Sequence, residues 1–536
     1  MNNSKLINSL LSLVLVVLVA ALYVSFRWNP IVFDDIYFFL MDNDGNQPVS
    51  NYHFEWLQIR SLPYATLAWT KAWFGLDLIN FRIGNLLLHA AVVLVLFAFL
   101  SSLFIALIGD GRKESLSPRL YAFFAAALFA LHPVATYAVG YLVQRSIVMA
   151  TLFSLLALMA YVRGSVQQNL LWLWLTVPFY YLAVFSKEHA IMLPAVLLAL
   201  TVLLHVDWPT RMRQHWGIFV MLALIAIAAL LTKRGLLGSV YELNAPEMLL
   251  DADLAYPLSV MTQTWLFFKY VFLWVLPNPA WMSIDMREPF APSLFSPYLM
   301  AVMAFGAWGI GSIWLLTKRG MAGLAGLALL YPWLMFMTEF STVRIQEVFV
   351  LYRSYLWAPV AFCLLPVIFS KLNGRLSAFI LSLLAVAMVS MSMDRLVTLS
   401  HPILLWDDAE KLVKGRTELP GSSRIYYNRG TEMIHMGNLD QAIADLNQSA
   451  SLSPRFVEAH GNLGAAYFQK LDWNNAIASF SHAIEIAHQD NKAISARYIH
   501  GRAQAFENTG ELEKAQIDYR ESCRLAQRGC EKLINK

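Results

Sequence analysis

Two adjacent carboxylates open a chemically suggestive stretch, Phe33-Asp34-Asp35-Ile36-Tyr37, a few residues beyond a hydrophobic run at 7–26. A carboxylate at such a position can bind an acceptor hydroxyl or take its proton. Two like charges this close raise the pKa of one of them. The plain structural alternative is a solvated loop end or a helix cap. A second set of candidates is cationic or polar: Arg60, Asn85, His89, His132 before Pro133, Gln144-Arg145-Ser146, Lys187-Glu188-His189, Lys269, and Glu347 with Arg353 and Tyr355. Ionisable residues in or beside membrane spans are functional candidates by default. Several cations facing one cavity suit a phosphate or diphosphate, which Arg can grip with two parallel N–H donors. Interface anchoring and helix-to-helix ion pairing are the competing roles.

The elements that must hold these residues are membrane helices. The chain has 536 residues, 58% hydrophobic and 14% charged, with a mean hydropathy of +0.51. Soluble domains run near 45–50% apolar and about 25% charged. The 17 Trp and 22 Tyr suit membrane interfaces, where one edge of the ring is wet. A net charge of +4, spread over short loops, gives no nucleic-acid signal. Segments near 7–26, 83–108, 119–139, 146–163, 170–186, 189–206, 217–232, 298–316, 321–338, 353–370 and 376–393 read as about eleven spans. The first has Lys5 ahead of it but no clean small-x-small cleavage site, so an uncleaved span is expected. The stretch 259–276 carries Lys269 at its centre, which predicts a re-entrant, interfacial or cavity-facing segment.

Basic residues at Arg112, Lys113, Arg119, Arg163, Arg211, Arg213, Lys318, Arg319, Lys371 and Arg375 then share one side, the cytoplasm. Lys233 and Arg234 are the main exceptions. The loops at 27–82, 133–145, 187–188, 233–297 and 339–352 fall on the other side with the C-terminal domain. Full crossing by 259–276 would move that domain to the cytoplasm.

Residues 1–395 thus form a transmembrane domain, 396–423 a linker, and 424–536 a soluble all-α domain of about three repeats. Gly430, Ala442 and Leu446 recur as Gly464, Ala476 and Phe480, and Ala503, Ala515 and Tyr519 begin a third copy. The offset of 34, with small residues where two helices touch, is the tetratricopeptide signature. Three cysteines, Cys363, Cys523 and Cys530, are too few for a disulfide framework or a CxxC metal site. On one straight helix Cys523 and Cys530 would stand about 10 Å apart at their α-carbons, too far for a bridge. Gly529 can end that helix and let the chain fold back, so bridged and free states both stay open.

Arg60-Ser61-Leu62-Pro63 through Gly84-Asn85-Leu86-Leu87-Leu88-His89 resembles the Arg-Pro-Leu…Asn-Leu-Leu-Leu-His pattern of tetratricopeptide-bearing C-type glycosyltransferases. So do Leu128-Phe129-Ala130-Leu131-His132-Pro133 followed by Val143-Gln144-Arg145, then Ser186-Lys187-Glu188 and the Trp406-Asp407 linker. That family is similar to the protein O-mannosyltransferases and their tetratricopeptide relatives. The resemblance implies a multispan fold with its active site away from the cytoplasm. It also implies a polyprenyl-phosphate-linked sugar donor and a protein hydroxyl acceptor. Asp34 and Asp35 match the family's first-loop acidic motif, while Arg145, Lys187 and Lys269 match basic positions near the donor phosphate. The family's Glu-x-Arg-x-Tyr motif reads Leu351-Tyr352-Arg353-Ser354-Tyr355, without its glutamate, and the Pro after the first-loop Arg is Ser61. The donor sugar therefore stays open.

The resulting expectation is a membrane glycosyltransferase that moves a sugar from a polyprenyl-phosphate carrier to Ser or Thr of an exported protein held by the repeats. Asp34 and Asp35 are the catalytic candidates. Arg145, Lys187, Lys269 and Arg353 are the donor-phosphate candidates, and Arg60, His132, Gln144, Glu188 and Glu347 the further substrate contacts. The setting is a bacterial inner membrane with the active site and repeats on the periplasmic side. The loop after the third span has no second acidic motif, so no metal or other cofactor is expected. The rivals are a lipid or polysaccharide transferase or ligase, and a non-enzymatic scaffold or transporter whose repeats recruit partners.

Overall fold

The computed structural model describes residues 2–39, 48–109, 115–232, 239–240, 252–345, 347–416 and 418–533. Arg112, Lys113, Lys233 and Arg234, used above for topology, lie outside the described residues. The described residues are mostly helical, with almost no strand, and the chain divides into two compact units. One comprises Met1–Ile284 and Phe290–His401, the other Asp285–Pro289 and Pro402–Lys536.

The first unit is a helical bundle: α1 (Asn2–Tyr23), α2 (Ser61–Phe74), α3 (Leu78–Ile108), α4 (Pro118–Ala130), α5 (Arg145–Gln167), α6 (Leu170–Ser186), α7 (Leu193–Leu204), α8 (Trp216–Thr232), α9 (Ala255–Val275), α10 (Tyr298–Thr317), α11 (Gly320–Phe336) and α12 (Gly374–Thr398). Sequence signals set the ends. Asp77 caps α3 by accepting the N–H of Ile79, and Gly109 closes the helix at a φ of +67° that only glycine adopts freely. A short parallel strand pair joins β1 (Ser239–Val240) to β2 (Thr342–Val343).

Seven helices among the described residues are long and apolar enough to cross a membrane, or up to nine if two bent pairs each count as one span. The chain is a multi-pass membrane protein, but the expected eleven spans are not all regular helices. The segment 119–139 bends by 52° between Ala130 and Pro133, because proline removes a helical donor and clashes with the preceding turn. Leu170–Ser186 and Glu188–Leu204 are shorter apolar helices. The segment 353–370 is a run of 3₁₀ turns and one short α-turn, broken at Pro359 and Pro366. That run still joins the two ends of the bundle. It leaves Arg353 beside the cavity described below and reaches Phe369, whose carbonyl accepts the Tyr121 hydroxyl.

The re-entrant expectation for 259–276 needs correcting: α9 is one unbroken helix of 21 residues, long enough to cross. It tolerates Lys269 because the ammonium lies over the Phe349 ring, 5.1 Å from its centroid. Its flanks are held by other loops. Before it, β1 pairs with β2 beside Arg344; after it, Met282 O accepts from Arg395, whose neighbour Leu396 O accepts from Asn29. Along its length α9 holds the irregular segment 348–354 through Gln263 to Val348 O, Tyr270 to both backbone groups of Val350, and Trp274 to Ser354.

The second unit opens with α13 (Pro402–Val413), which buries Leu405, Trp406, Ala409 and Val413, one face of a helix at i, i+4 spacing. Three helical hairpins follow: α14 (Ser422–His435) with α15 (Leu439–Leu452), α16 (Val457–Gln469) with α17 (Trp473–Gln489), and α18 (Ala496–Thr509) with α19 (Leu512–Ala526). The repeated small residues have the expected reason: a Cβ on Gly464 would stand 2.6 Å from the Phe480 ring. Helix α19 ends at Ala526, and Gln527 and Gly529 take left-handed conformations that turn the chain back. The turn brings the Cys523 and Cys530 α-carbons to 5.0 Å, and the two are bridged.

Candidate active site

A cavity of about 740 Å³ gathers residues that the chain order scatters. Its walls include Asp34 and Tyr37 from the first loop, Arg60 and Tyr64 at the start of α2, Gln144 and Ser146 at the start of α5, Lys187 to His189 between α6 and α7, and Arg344, Tyr352 and Arg353 after α11. Each comes from a junction between helices, where backbone direction changes and side chains are free to converge.

Apolar packing fixes the first loop. Phe39, Val49, Leu67, Phe81 and Leu142 form one buried cluster, which clamps the turn carrying Asp34 onto α2, α3 and the start of α5. Near the first loop, Phe33 with φ +56° and Arg60 with φ +67° sit in the left-handed region although each has a Cβ. Such conformations persist where the surroundings over-determine them, and they cluster at ligand sites. For Arg60 the restraint is visible: its N–H donates to Phe185 O at 2.7 Å, and its Nε donates to Glu188 Oε2 at 3.1 Å.

The two adjacent aspartates have separate fates. Asp34 faces the cavity, and its backbone N–H donates to the Tyr141 hydroxyl at 2.8 Å. Asp35 is fully buried beside it, outside the lining. Its Oδ2 accepts the Leu142 N–H at 3.1 Å and its Oδ1 the Val143 N–H at 2.8 Å. It therefore caps, from 107 residues away, the first turn of the helix that continues as α5, where free N–H groups and the helix dipole favour an anion. Burial pushes its carboxyl up to about 7, against the pull of the Val143 N–H, Arg82 and the Leu142 N–H. Arg82 in turn donates to the carbonyls of Asn29, Pro30 and Gly140 and ties both loops together.

The cavity is electropositive: Arg60, Lys187, Arg344 and Arg353 face it, against the carboxylates of Asp34 and Glu188. Lys187 is 3% exposed. Its Nζ donates to Gln144 Oε1 at 3.0 Å and lies 5.0 Å from the Tyr352 ring centroid. Burial, with repulsion from Arg60, holds its ammonium well below the usual lysine range, while Glu188 pulls the other way. An entering anion would restore the charged form. Arg353 Nη1 donates to Glu339 Oε2 at 2.7 Å, and the other oxygen of Glu339 takes His189 Nε2 at 2.9 Å. Glu339 is 2% exposed and stands behind the wall.

Asp34, Arg60, Gln144, Lys187, Glu188 and Arg353 are thus brought together, whereas Asp35, Arg145, Lys269, His132 and Glu347 lie outside the lining. Arg145 points into the bundle, donating to Asn85 Oδ1, Phe81 O, and the hydroxyls of Thr66 and Thr70. The adjacent Gly84 leaves room for it, since a Cβ there would stand 2.8 Å from its Nη2. His132 stacks on Trp274 and bonds its carbonyl at 3.1 Å. Lys269 is occupied by the Phe349 face. Glu339 and Arg344 escaped the reading of the sequence. The signal for Glu339 was an ionisable residue directly after an apolar run, the span read at 321–338.

Comparison with known proteins gives two kinds of likeness. A TPR repeat model matches residues 433–470 and a tetratricopeptide repeat model residues 496–528, so the second unit is a tetratricopeptide domain. Over 424 residues, 69% of this chain, the sequence is 24% identical to the mouse (Mus musculus) Protein O-mannosyl-transferase TMTC4. The chain spans 54% of that relative's length. A solved structure of the archaeal oligosaccharyltransferase AglB from Archaeoglobus fulgidus, in complex with an inhibitory peptide and a dolichol-phosphate, aligns at a TM-score of 0.40. That alignment has 14% identity and covers 80% of this chain and 58% of that one.

Proposed function

We propose that the chain is a membrane glycosyltransferase that moves a sugar from a polyprenyl-phosphate carrier to a Ser or Thr hydroxyl of an exported protein. The observation that carries this reading is the surplus of cations, Arg60, Lys187, Arg344 and Arg353, over the carboxylates Asp34 and Glu188 in a cavity of about 740 Å³ within a membrane bundle. The sequence similarity to a protein O-mannosyl-transferase supports the same reaction class. Asp34 accepts the proton of the acceptor hydroxyl as its oxygen bonds to the sugar. The bond from sugar to phosphate breaks, and the leaving polyprenyl phosphate gathers charge. Arg353, Lys187 and Arg60 are already in place to stabilise that charge without reorganising. Asp35 and Arg145 act behind the wall, as the parts that fix the loop and the start of α5. The bridged Cys523 and Cys530 favour an oxidising compartment for the repeats. The repeats hold the acceptor polypeptide, since stacked helical hairpins form concave binding surfaces.

The test is the intact mass of exported proteins from cells with and without this gene product. Loss of whole sugar increments from one or more proteins is the expected result. Unchanged protein masses together with an altered lipid or polysaccharide glycan would overturn the protein acceptor.

A further inference from the structure

One cavity-wall residue remains chemically half-used. His189 is 4% exposed, lines the cavity, and turns Nε2 to the Glu339 carboxylate at 2.9 Å. A carboxylate only accepts, so Nε2 carries the proton, and a neutral ring then offers a lone pair at Nδ1. That Nδ1 is buried and has no hydrogen-bond partner among the described residues. Buried polar atoms are nearly always satisfied, and an orphan at a cavity wall is what a bound ligand satisfies. The same Glu339 holds Arg353 Nη1 at 2.7 Å through its other oxygen. One rigid carboxylate therefore sets an anion-binding cation and a hydrogen-bond acceptor side by side.

We infer that His189 Nδ1 accepts a hydrogen bond from a hydroxyl of the donor's sugar, which makes the Glu339–His189 pair a determinant of donor specificity. The ligand class is a glycosyl phosphate, its phosphate on Arg353 and a ring hydroxyl on His189. This rests on the donor reading above and sharpens it, because a lipid phosphate without a sugar cannot use Nδ1.

The decisive variant is His189→Gln. The Gln Nε2 keeps a donor toward Glu339, and nothing remains at the position of Nδ1. Full-length protein in detergent would be titrated with polyprenyl phosphate and with polyprenyl-phosphate-mannose and polyprenyl-phosphate-glucose. The wild type should hold at least one glycosylated lipid more tightly than the bare one. His189→Gln should lose roughly tenfold for that lipid, the worth of one well-made hydrogen bond, and should bind bare polyprenyl phosphate as before. Glu339→Gln, which leaves both partners present but unanchored, should weaken both kinds of lipid. A His189→Gln protein that discriminates as the wild type does, or a wild type that does not discriminate, overturns the assignment of Nδ1. A wild type that binds none of the three lipids overturns the donor reading, and the assignment falls with it.

Discussion

Buried charge does different work in the two units. In the repeat domain the buried Arg429 and the half-buried Arg502 have matched carboxylates. Arg429 makes two 2.8 Å bonds to Asp445 and adds Asp407 and Glu410, and Arg502 binds Asp518 at 2.7 and 2.9 Å. Both pairs link the two helices of one hairpin, and both are 16 residues apart. In the membrane unit, among the described residues, Lys187 meets an amide and an aromatic face, and Arg353 shares the Glu339 carboxylate with His189. Neutralised charge fixes packing. Surplus charge in a dry wall costs stability and is kept where a ligand supplies the missing anion.

The largest effect should come from Asp34→Asn, which leaves an amide that cannot take a proton. Transfer to a peptide acceptor by the purified protein should fall about 10²–10⁴-fold with unchanged lipid binding. Wild-type turnover in this variant would remove the first loop from the chemistry.

A matched pair of charge deletions probes the contrast directly. Lys187→Met should weaken transfer by about 10²–10³-fold and raise thermal stability, by roughly 0.5–2 kcal/mol, because a buried amine with no ion pair is removed. Arg429→Met should do the reverse. It strands Asp445 in the repeat core at about 3–5 kcal/mol, while donor binding to the full-length protein stays intact. Two variants that lose stability alike would erase the distinction between the units.

Asp35→Asn should cost about 1–3 kcal/mol, since an amide can satisfy only one of the two N–H groups that Asp35 holds. The effect also has a pH signature. The carboxyl sits near 4 in the unfolded chain and is pushed up to about 7 in the folded one. The folded protein thus keeps a proton that the unfolded chain releases between those values. That stabilisation is complete below about pH 4 and is lost as the pH rises through about 7. The melting-temperature advantage of wild type over Asp35→Asn should therefore shrink from pH 4.5 to 7.5. A gap independent of pH would show that Asp35 stays ionised when folded.

The smallest effect is chemical: Cys523 and Cys530 in denatured protein should label with a thiol reagent only after reduction. Equal labelling without reduction would argue for a cytoplasmic repeat domain.

By itself the sequence determined what depends on local period and composition. Runs of about 20 apolar residues must be helices in a bilayer, because no water is there to bond an exposed backbone. A 34-residue recurrence of Gly and Ala opposite an aromatic admits little besides stacked hairpins. The polar residues gathered at the helix junctions were visible for the same reason, as expensive residues beside apolar runs. Which of them share a cavity was a matter of tertiary structure alone. Asp34 and Asp35 are neighbours of one type, and only the φ of Phe33 and the distant N–H groups of Leu142 and Val143 send one to the cavity and the other to a helix start. Lys187 and Arg145 were equal candidates as cations, yet Asn85, Thr66 and Thr70 lie within reach of Arg145 and bond it inside the bundle. Such outcomes turn on contacts between residues 60 to more than 100 positions apart, and periodicity carries no information at that range.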